Sequence, residues 1–141
     1  MTSKINPVRI NTTIQAPMDK VWEYWTKEEH IQNWNFASPD WHCPDAKNDL
    51  IKGGEFHYTM AAKDNSMQFD FWGTYQEILS EKYIEIVLGD GRRVSVTFEE
   101  NENGIQLTEE FDPEEQNPVE MQRAGWQMIL DNFKRYTENH Q

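Results

Sequence analysis

The last stretch of the chain constrains the fold most, because it predicts one long helix with a wide apolar face. The segment from Asn117 to Glu138 begins with a residue that can cap a helix, followed by Pro118, which needs no backbone N–H, and Glu120, a capping-box acid. At about 100° per residue, the apolar side chains sweep an arc of roughly 200°, wider than a surface helix needs. Other elements must therefore enclose this helix.

Two polar residues, Gln122 and Asn132, fall inside the apolar arc of the helix. Polar groups that are turned inward need hydrogen-bond partners, which protein, water or a ligand can supply. Gly125 lies between them and removes a side chain where a ligand would need room. The helix is therefore both a packing element and a candidate ligand wall.

Length and composition bound the class of protein. The 141 residues predict a single domain, 1–141, with a core that needs no metal or disulfide. The net charge of −12 argues against nucleic acid and anionic membranes as partners. The single Cys43 and the lack of a leader favour a cytoplasmic location, and no apolar run is long enough to predict membrane insertion. Oligomeric state is left open between a monomer and a weak homodimer.

The rest of the chain predicts a strand, two short helices and six strands before the final helix. Val8 to Ile14 alternates as a one-sided strand, Pro17 opens the first helix, and Thr26 with Glu29 forms a capping box for the second. Residues 35–46 lack periodicity and predict an irregular loop. The six strands start with Asp49 to Lys52 and are joined by short turns, which predicts an antiparallel meander.

These elements predict an α+β fold in which a curved antiparallel sheet wraps around the C-terminal helix. The helix, roughly 30 Å long at 1.5 Å per residue, is the only element with enough apolar area to cover the apolar face of the sheet. Gly73 inside a strand suggests a bulge that curls the sheet. A convex helix does not fill a wider concave surface, so a cavity is expected between them.

Several motifs resemble those of a known family. They are Ala16-Pro17-x-x-x-Val21-Trp22, Asp40-Trp41-His42, Asn48-Asp49-Leu50-Ile51-Lys52-Gly53-Gly54, Phe69-Asp70-Phe71-Trp72-Gly73-Thr74-Tyr75, Asp90-Gly91-Arg92 and Gly125-Trp126-x-x-Ile129-Leu130-x-Asn132-Phe133. Over nearly the whole chain they resemble the bacterial single-domain proteins similar to the C-terminal domain of the activator of Hsp90 ATPase. These proteins belong to the START-like, polyketide-cyclase-like superfamily.

The resemblance implies a START-like helix-grip fold, in agreement with the predicted element order. It leaves the activity open, because the superfamily includes lipid and hormone binders, polyketide cyclases and proteins that sequester small metabolites. The name of the family also suggests an Hsp90-type co-chaperone. No second domain precedes the similar one and the chain is acidic throughout, so a clamp on a chaperone is the least favoured of the functions.

Glu109 is the candidate catalytic group with the clearest physical reason. It shares strand parity with Ile105, Leu107 and Phe111, which points it inward unless a bulge flips the parity or the residue lies at an open rim. A buried carboxyl group has a raised pKa and can act as a general acid or base or bind a ligand hydroxyl.

His42, next to Cys43 and close to Asp40 and Asp45, is the second catalytic candidate. Its spacing fits no recurring zinc site, so neither a metal nor another cofactor is predicted. A Cys-His nucleophile pair is no better supported, because adjacent residues rarely point at each other. The favoured use of Trp41 and His42 is at the mouth of the cavity, with the loop as a lid.

The favoured function is binding of a small apolar or aromatic metabolite or lipid between sheet and helix. Plain core packing explains any single aromatic residue, whereas Tyr hydroxyls, Met side chains and inward amides together favour a cavity. The alternative is a cyclase- or hydrolase-type enzyme using Glu109 with a Tyr or His42. The candidate ligand-binding residues are Trp41, His42, Tyr58, Met60, Phe71, Tyr75, Glu109, Gln122, Trp126, Met128 and Asn132.

Overall fold

The computed structural model describes residues 6–140, so the outermost residues of the predicted domain, 1–5 and 141, lie outside the described part. Within these residues, seven strands and three helices follow one another in the predicted order of one strand, two short helices, six strands and a final helix. They are β1 Val8–Ile14, α1 Met18–Thr26, α2 Glu28–Ile31, β2 Trp41–Asn48, β3 Glu55–Ala62, β4 Gln68–Leu79, β5 Tyr83–Leu88, β6 Arg93–Asn101, β7 Gly104–Phe111 and α3 Val119–Asn139.

All seven strands form one sheet in the order β1-β7-β6-β5-β4-β3-β2. Every neighbouring pair is antiparallel. The two strands that flank the helices α1 and α2 in sequence, β1 and β2, therefore lie at opposite edges of the sheet. The sheet curls around α3, which confirms the predicted α+β helix-grip architecture.

The core lies between the concave face of the sheet and the inner side of α3. Along β7, alternate residues are buried because the strand presents every second side chain to this face. On α3, Leu130, Phe133 and Thr137 are buried, as expected for residues three and four positions apart on a helix. The chain thus places its apolar sheet face and its apolar helix face in direct contact.

Both predicted capping boxes are wrong. Helix α3 begins at Val119, with Pro118 at its N-cap and no side-chain cap. The hydroxyl of Thr26 donates to the carbonyl of Trp22 at 2.8 Å, because Thr26 is the last residue of α1 and bonds back to its own helix. Position alone does not decide whether such a hydroxyl bonds forward or backward.

The predicted irregular loop at 35–46 is confirmed for residues 35–40 and wrong from Trp41 onward, and the predicted strand at Asp49–Lys52 is also wrong. The strand is β2, Trp41–Asn48, and the residues after it form the turn into β3. The register of β2 against β3 shifts between His42 and Asp45, which breaks the alternation of side chains along the strand. An edge strand with such an irregularity carries no period-two signal.

Gly73 serves a different purpose from the predicted bulge. The register of β4 against β5 is regular at Gly73 and shifts further along, between Tyr75 and Glu77. A Cβ atom at Gly73 would lie 2.6 Å from the carbonyl oxygen of Val87. Glycine therefore allows the backbone of β5 to approach β4 closely.

Candidate ligand-binding cavity

Two adjoining cavities lie between the sheet and the helices. The inner cavity has a volume of about 70 Å³ and the outer cleft, which is more open to solvent, about 310 Å³. Both are lined by the same five residues, contributed by α1, the segment after α2, β4, β7 and α3: Trp25, Trp34, Phe71, Glu109 and Trp126. These residues mark the boundary at which the cleft meets the inner cavity.

The shared wall is held by ring contacts. Trp25 stacks on Trp34 with ring centroids 4.9 Å apart, and Trp126 stacks on the buried Phe111 at 4.0 Å. Phe71 meets Trp126 edge-on, with centroids 6.2 Å apart. Such packing fixes the rings, so the aromatic surface around Glu109 is pre-formed.

Glu109 faces inward, as predicted, because the register of β7 is uninterrupted on both sides. It lies opposite Ile10 of β1 and Val96 of β6, and its side chain is only 9% exposed. Among the described residues, no group donates a hydrogen bond to its carboxyl group. Burial away from water raises the pKa of Glu109 from 4.5 to about 8, since the charged form loses its solvation.

A chain of hydrogen bonds runs from the inner cavity to α1. The hydroxyl of Tyr58 bonds to that of Tyr75, which donates to the side-chain oxygen of Asn48. The amide of Asn48 in turn donates to the carbonyl of Thr26. Burial raises the pKa of Tyr58 well above its usual value and that of Tyr75 to about 12, so both phenols are neutral hydrogen-bonding groups at ordinary pH.

The outer cleft is lined by polar residues that are already engaged. The side chain of Gln122 accepts from the backbone N–H of Glu114 at 2.8 Å and donates to the carbonyls of Glu114 and Asn117 at 3.0 and 2.8 Å. Arg92 is held by the carboxylate of Asp90, 2.8 Å from its Nε. Gln122 therefore fixes the segment that leads into α3, and its polar atoms are occupied without a ligand.

The structure brings six of the predicted site residues together and places five elsewhere. Those that line the cavities are Tyr58, Phe71, Tyr75, Glu109, Gln122 and Trp126. Met60, Met128, Trp41, His42 and Asn132 are not among the lining residues of these two cavities.

The contacts of these five residues explain their positions. The sulfur of Met60 is buried against the amide of Asn35, whereas Met128 is 46% exposed on the outer side of α3. The amide of Asn132 donates to the carbonyl of Phe36 at 2.6 Å and so ties α3 to the segment after α2.

Trp41 and His42 lie on the edge strand β2, opposite Ala62 and Ala61 of β3. The ring of Trp41 packs beside that of Phe69, with centroids 6.0 Å apart. The structure therefore does not bring His42 to Glu109, and the pair proposed for catalysis is not assembled.

Several lining residues escaped prediction. Trp25 and Trp34 are not among the predicted site residues, and neither are the strand residues Ile84, Ile86, Val94 and Val96. Strand parity relative to Glu109 could have identified the strand residues, since Val96 lies directly opposite it. The two Trp residues depend on how α1 crosses the sheet, which no local pattern reports.

The part of the chain that the structure describes contains no cluster of three or more His, Cys, Asp or Glu residues that could hold a metal ion. Within the same residues, no helix combines the length and apolarity that crossing a bilayer requires.

The model of one protein family, described as "Activator of Hsp90 ATPase homolog 1-like protein", matches residues 15–138. The chain belongs to this family. The match covers strands β2 to β7, the cavity lining and nearly all of α3, so the resemblance predicted from the motifs is confirmed.

Solved structures agree with the family assignment. An AHSA1-like protein from Aeromonas hydrophila is 41% identical, with a TM-score of 0.90, over 94% of this chain and 92% of its own. A protein from Cytophaga hutchinsonii is 49% identical, with a TM-score of 0.83, over 95% and 93% of the two chains. A protein from Nitrosomonas europaea, 18% identical with a TM-score of 0.82 over 95% of each chain, shares the fold. No curated protein matches the chain.

Proposed function

We propose that this member of the family binds a small apolar or aromatic molecule in the inner cavity and the outer cleft. The observation that carries the proposal is the carboxyl group of Glu109, which lies among aromatic rings with no hydrogen-bond donor among the described residues. Among the described residues, the one fully buried side-chain N or O atom without a partner is Thr137 Oγ1, so the carboxyl oxygens of Glu109 are accessible from the cavity. A ligand that enters the cavity can therefore pair with them.

The wall composition supports the same function. Aromatic and aliphatic side chains supply most of the lining, and the polar groups are few, as in most small-molecule sites. The inner cavity alone admits only a small group, whereas the outer cleft has room for a larger body. The ligand therefore inserts one end toward Glu109 and leaves its body between Trp126 and Phe69.

The test is a titration of the protein with panels of lipids, flavonoids and polyketides, followed by amide chemical shifts in NMR spectra. Binding should perturb resonances of the lining residues first. Ile86→Phe narrows the inner cavity and should weaken binding about tenfold or more, because overpacked sites lose complementarity.

Val87→Phe is the matched control, since the neighbouring residue on β5 points to the other face of the sheet. It should leave the affinity unchanged. Equal affinities of the two variants, or shifts confined to residues outside the cavity, would show that this cavity is not the binding site.

A second candidate is an enzyme of cyclase or hydrolase type. A carboxyl group with a pKa of about 8 is suited to general acid or base catalysis near neutral pH, and Tyr58 and Tyr75 line the same cavity. In that case Glu109→Gln abolishes turnover of a cavity ligand, whereas a pure binder releases the ligand chemically unchanged. Mass spectrometry of the ligand after incubation separates the two. An Hsp90-type partner is a further possibility, to be tested by pull-down and ATPase stimulation.

A further inference from the structure

The inner cavity contains one group able to carry negative charge and, among its lining residues, no Lys, Arg or His to balance it. Glu109 is that group, and its nearest sequence neighbours on the same face, Leu107 and Phe111, are fully buried and apolar. At the outer cleft the cationic residue is Arg92, which Asp90 already pairs at 2.8 Å. Among the described residues that line the two cavities, no unpaired cationic side chain is therefore available to balance an ionised Glu109.

The tyrosines of the inner cavity present acceptors. Tyr75 donates a hydrogen bond to Asn48, and its hydroxyl is also hydrogen-bonded to that of Tyr58. A phenol oxygen has two lone pairs, so that of Tyr58 can accept a hydrogen bond from a ligand. Carboxylate and phenol oxygens together suit a ligand group that brings its own N–H donors.

The aromatic residues around Glu109 favour a cation as well. Trp25, Trp34, Phe71 and Trp126 surround the carboxyl group, and the face of an aromatic ring attracts an ammonium group within about 6 Å of its centroid. The net charge of −12 attracts cations toward the protein from solution. The same ring faces offer an anion no comparable attraction.

We propose that the ligand is an organic cation, with an apolar or aromatic body in the outer cleft and an ammonium group paired with Glu109. This inference rests on the small-molecule binding proposed above. The main rival is a neutral ligand whose hydroxyl group bonds to the uncharged carboxyl group. A buried ion pair is favourable only with good geometry and further hydrogen bonds, and Tyr58 and the aromatic rings that line the same cavity are the groups available for them.

The two ligand classes respond oppositely to pH. A cation needs ionised Glu109, so its binding displaces the carboxyl proton to solvent and strengthens as pH rises toward the pKa of about 8. A neutral hydroxyl ligand binds the protonated form and weakens over the same range. Tyr58 and Tyr75 stay neutral there, and Glu114 at the cleft, with its lowered pKa, stays ionised.

The experiment compares 2-phenylethylammonium with 2-phenylethanol, which match in size, by NMR titration at pH 6.5 and 8.5. The amine stays protonated at both values, as an alkylammonium with a pKa near that of Lys, about 10.4. At pH 8.5 the cation should bind about tenfold tighter than the alcohol. Its affinity should also rise about tenfold or more from pH 6.5 to 8.5, following the ionised fraction of Glu109.

Glu109→Gln should remove both the preference for the cation and the pH dependence while keeping alcohol binding. Glu100→Gln, which removes an exposed carboxylate, is the charge-matched control. It should keep both the preference for the cation and the pH dependence of its affinity. The wild-type pH dependence tests the proposal even if the Glu109 variant folds poorly.

Equal affinity for the two compounds at pH 8.5, or tighter alcohol binding, overturns the cation and leaves small-molecule binding intact. If neither compound shifts the cavity resonances although a neutral compound of the panels does, the cation is likewise overturned. If no compound of either experiment reaches the cavity, both proposals fail.

Discussion

At the scale of single residues, Glu109 works against folding. In the unfolded chain its carboxyl group ionises with a pKa near 4.5, whereas burial raises the folded-state pKa to about 8. The folded protein thus holds a proton that the unfolded chain releases between these values. Stability contributed by this group falls as pH rises from 4.5 to 8 and stays low above 8.

Glu109→Gln should therefore stabilise the protein at neutral and alkaline pH. Glutamine keeps the size of the side chain but carries no charge, so the gain should grow from near zero at pH 4.5 to a few kcal/mol at pH 8. Urea unfolding at a series of pH values measures it. Glu100→Gln, at an exposed position, should show no such growth. A gain that does not vary with pH would mean that Glu109 is solvated in the folded protein.

Glu109 was predictable from sequence because β7 is regular, and strand parity alone placed it inside. The same reasoning misjudged Asn132 and Met128, since a position on a helical wheel gives the direction of a side chain and not its neighbour. Asn132 meets the carbonyl of Phe36, and Met128 is exposed on α3. Such outcomes depend on tertiary packing.

At the scale of elements, α3 contains a glycine without a packing reason. A Cβ atom built at Gly125 would meet no atom within 4 Å outside its immediate helix surroundings, and Gly125 is not among the residues that line the two cavities. The predicted role of Gly125, to leave room for a ligand, has no support from this geometry.

Gly125→Ala should stabilise the protein by about 0.5–1 kcal/mol, because alanine loses less backbone entropy when the helix forms. Thermal or urea unfolding measures the change. The reverse substitution at the exposed neighbour, Ala124→Gly, should destabilise by a similar amount. Ligand affinity should stay the same in Gly125→Ala; weaker binding would restore the idea that this position makes room for a ligand.

Elements with a strong period were predictable, and elements shaped by their neighbours were not. The long helix and the strands β3 to β7 carry their own apolar pattern. By contrast, β2 is a strand only because it adds to the edge of β3, and its shifted register at His42 hides it from any local rule. The prediction of the site was affected as well, since Trp41 and His42 were assigned to a loop and lie on β2.

At the scale of the whole molecule, the excess negatively charged side chains repel one another. The chain has 25 acidic residues against 13 basic ones, and most of the ion pairs in its described part involve exposed side chains. Exposed pairs contribute little to stability, so net repulsion should dominate. Salt screens that repulsion.

Raising NaCl from about 0.02 to 0.5 M should therefore raise the melting temperature by a few degrees, because the Debye length shortens to a few Å. Differential scanning calorimetry measures it. A variant with Glu100→Lys and Glu102→Lys, both exposed, carries less negative charge and should respond less to salt. If the melting temperature falls as salt is added, the attraction within the ion pairs contributes more to stability than the net repulsion costs.

The pairing of β1 with β7 has a consequence for how the protein is made. Val8 pairs with Phe111, so the first strand leaves the ribosome about a hundred residues ahead of its only partner. At roughly 5–20 residues per second, it waits for several seconds or longer. During synthesis, the meander from β3 to β6 can pair strand by strand, while β1 stays unmatched. The cavity, to whose lining β7 and α3 contribute Glu109 and Trp126, is completed last.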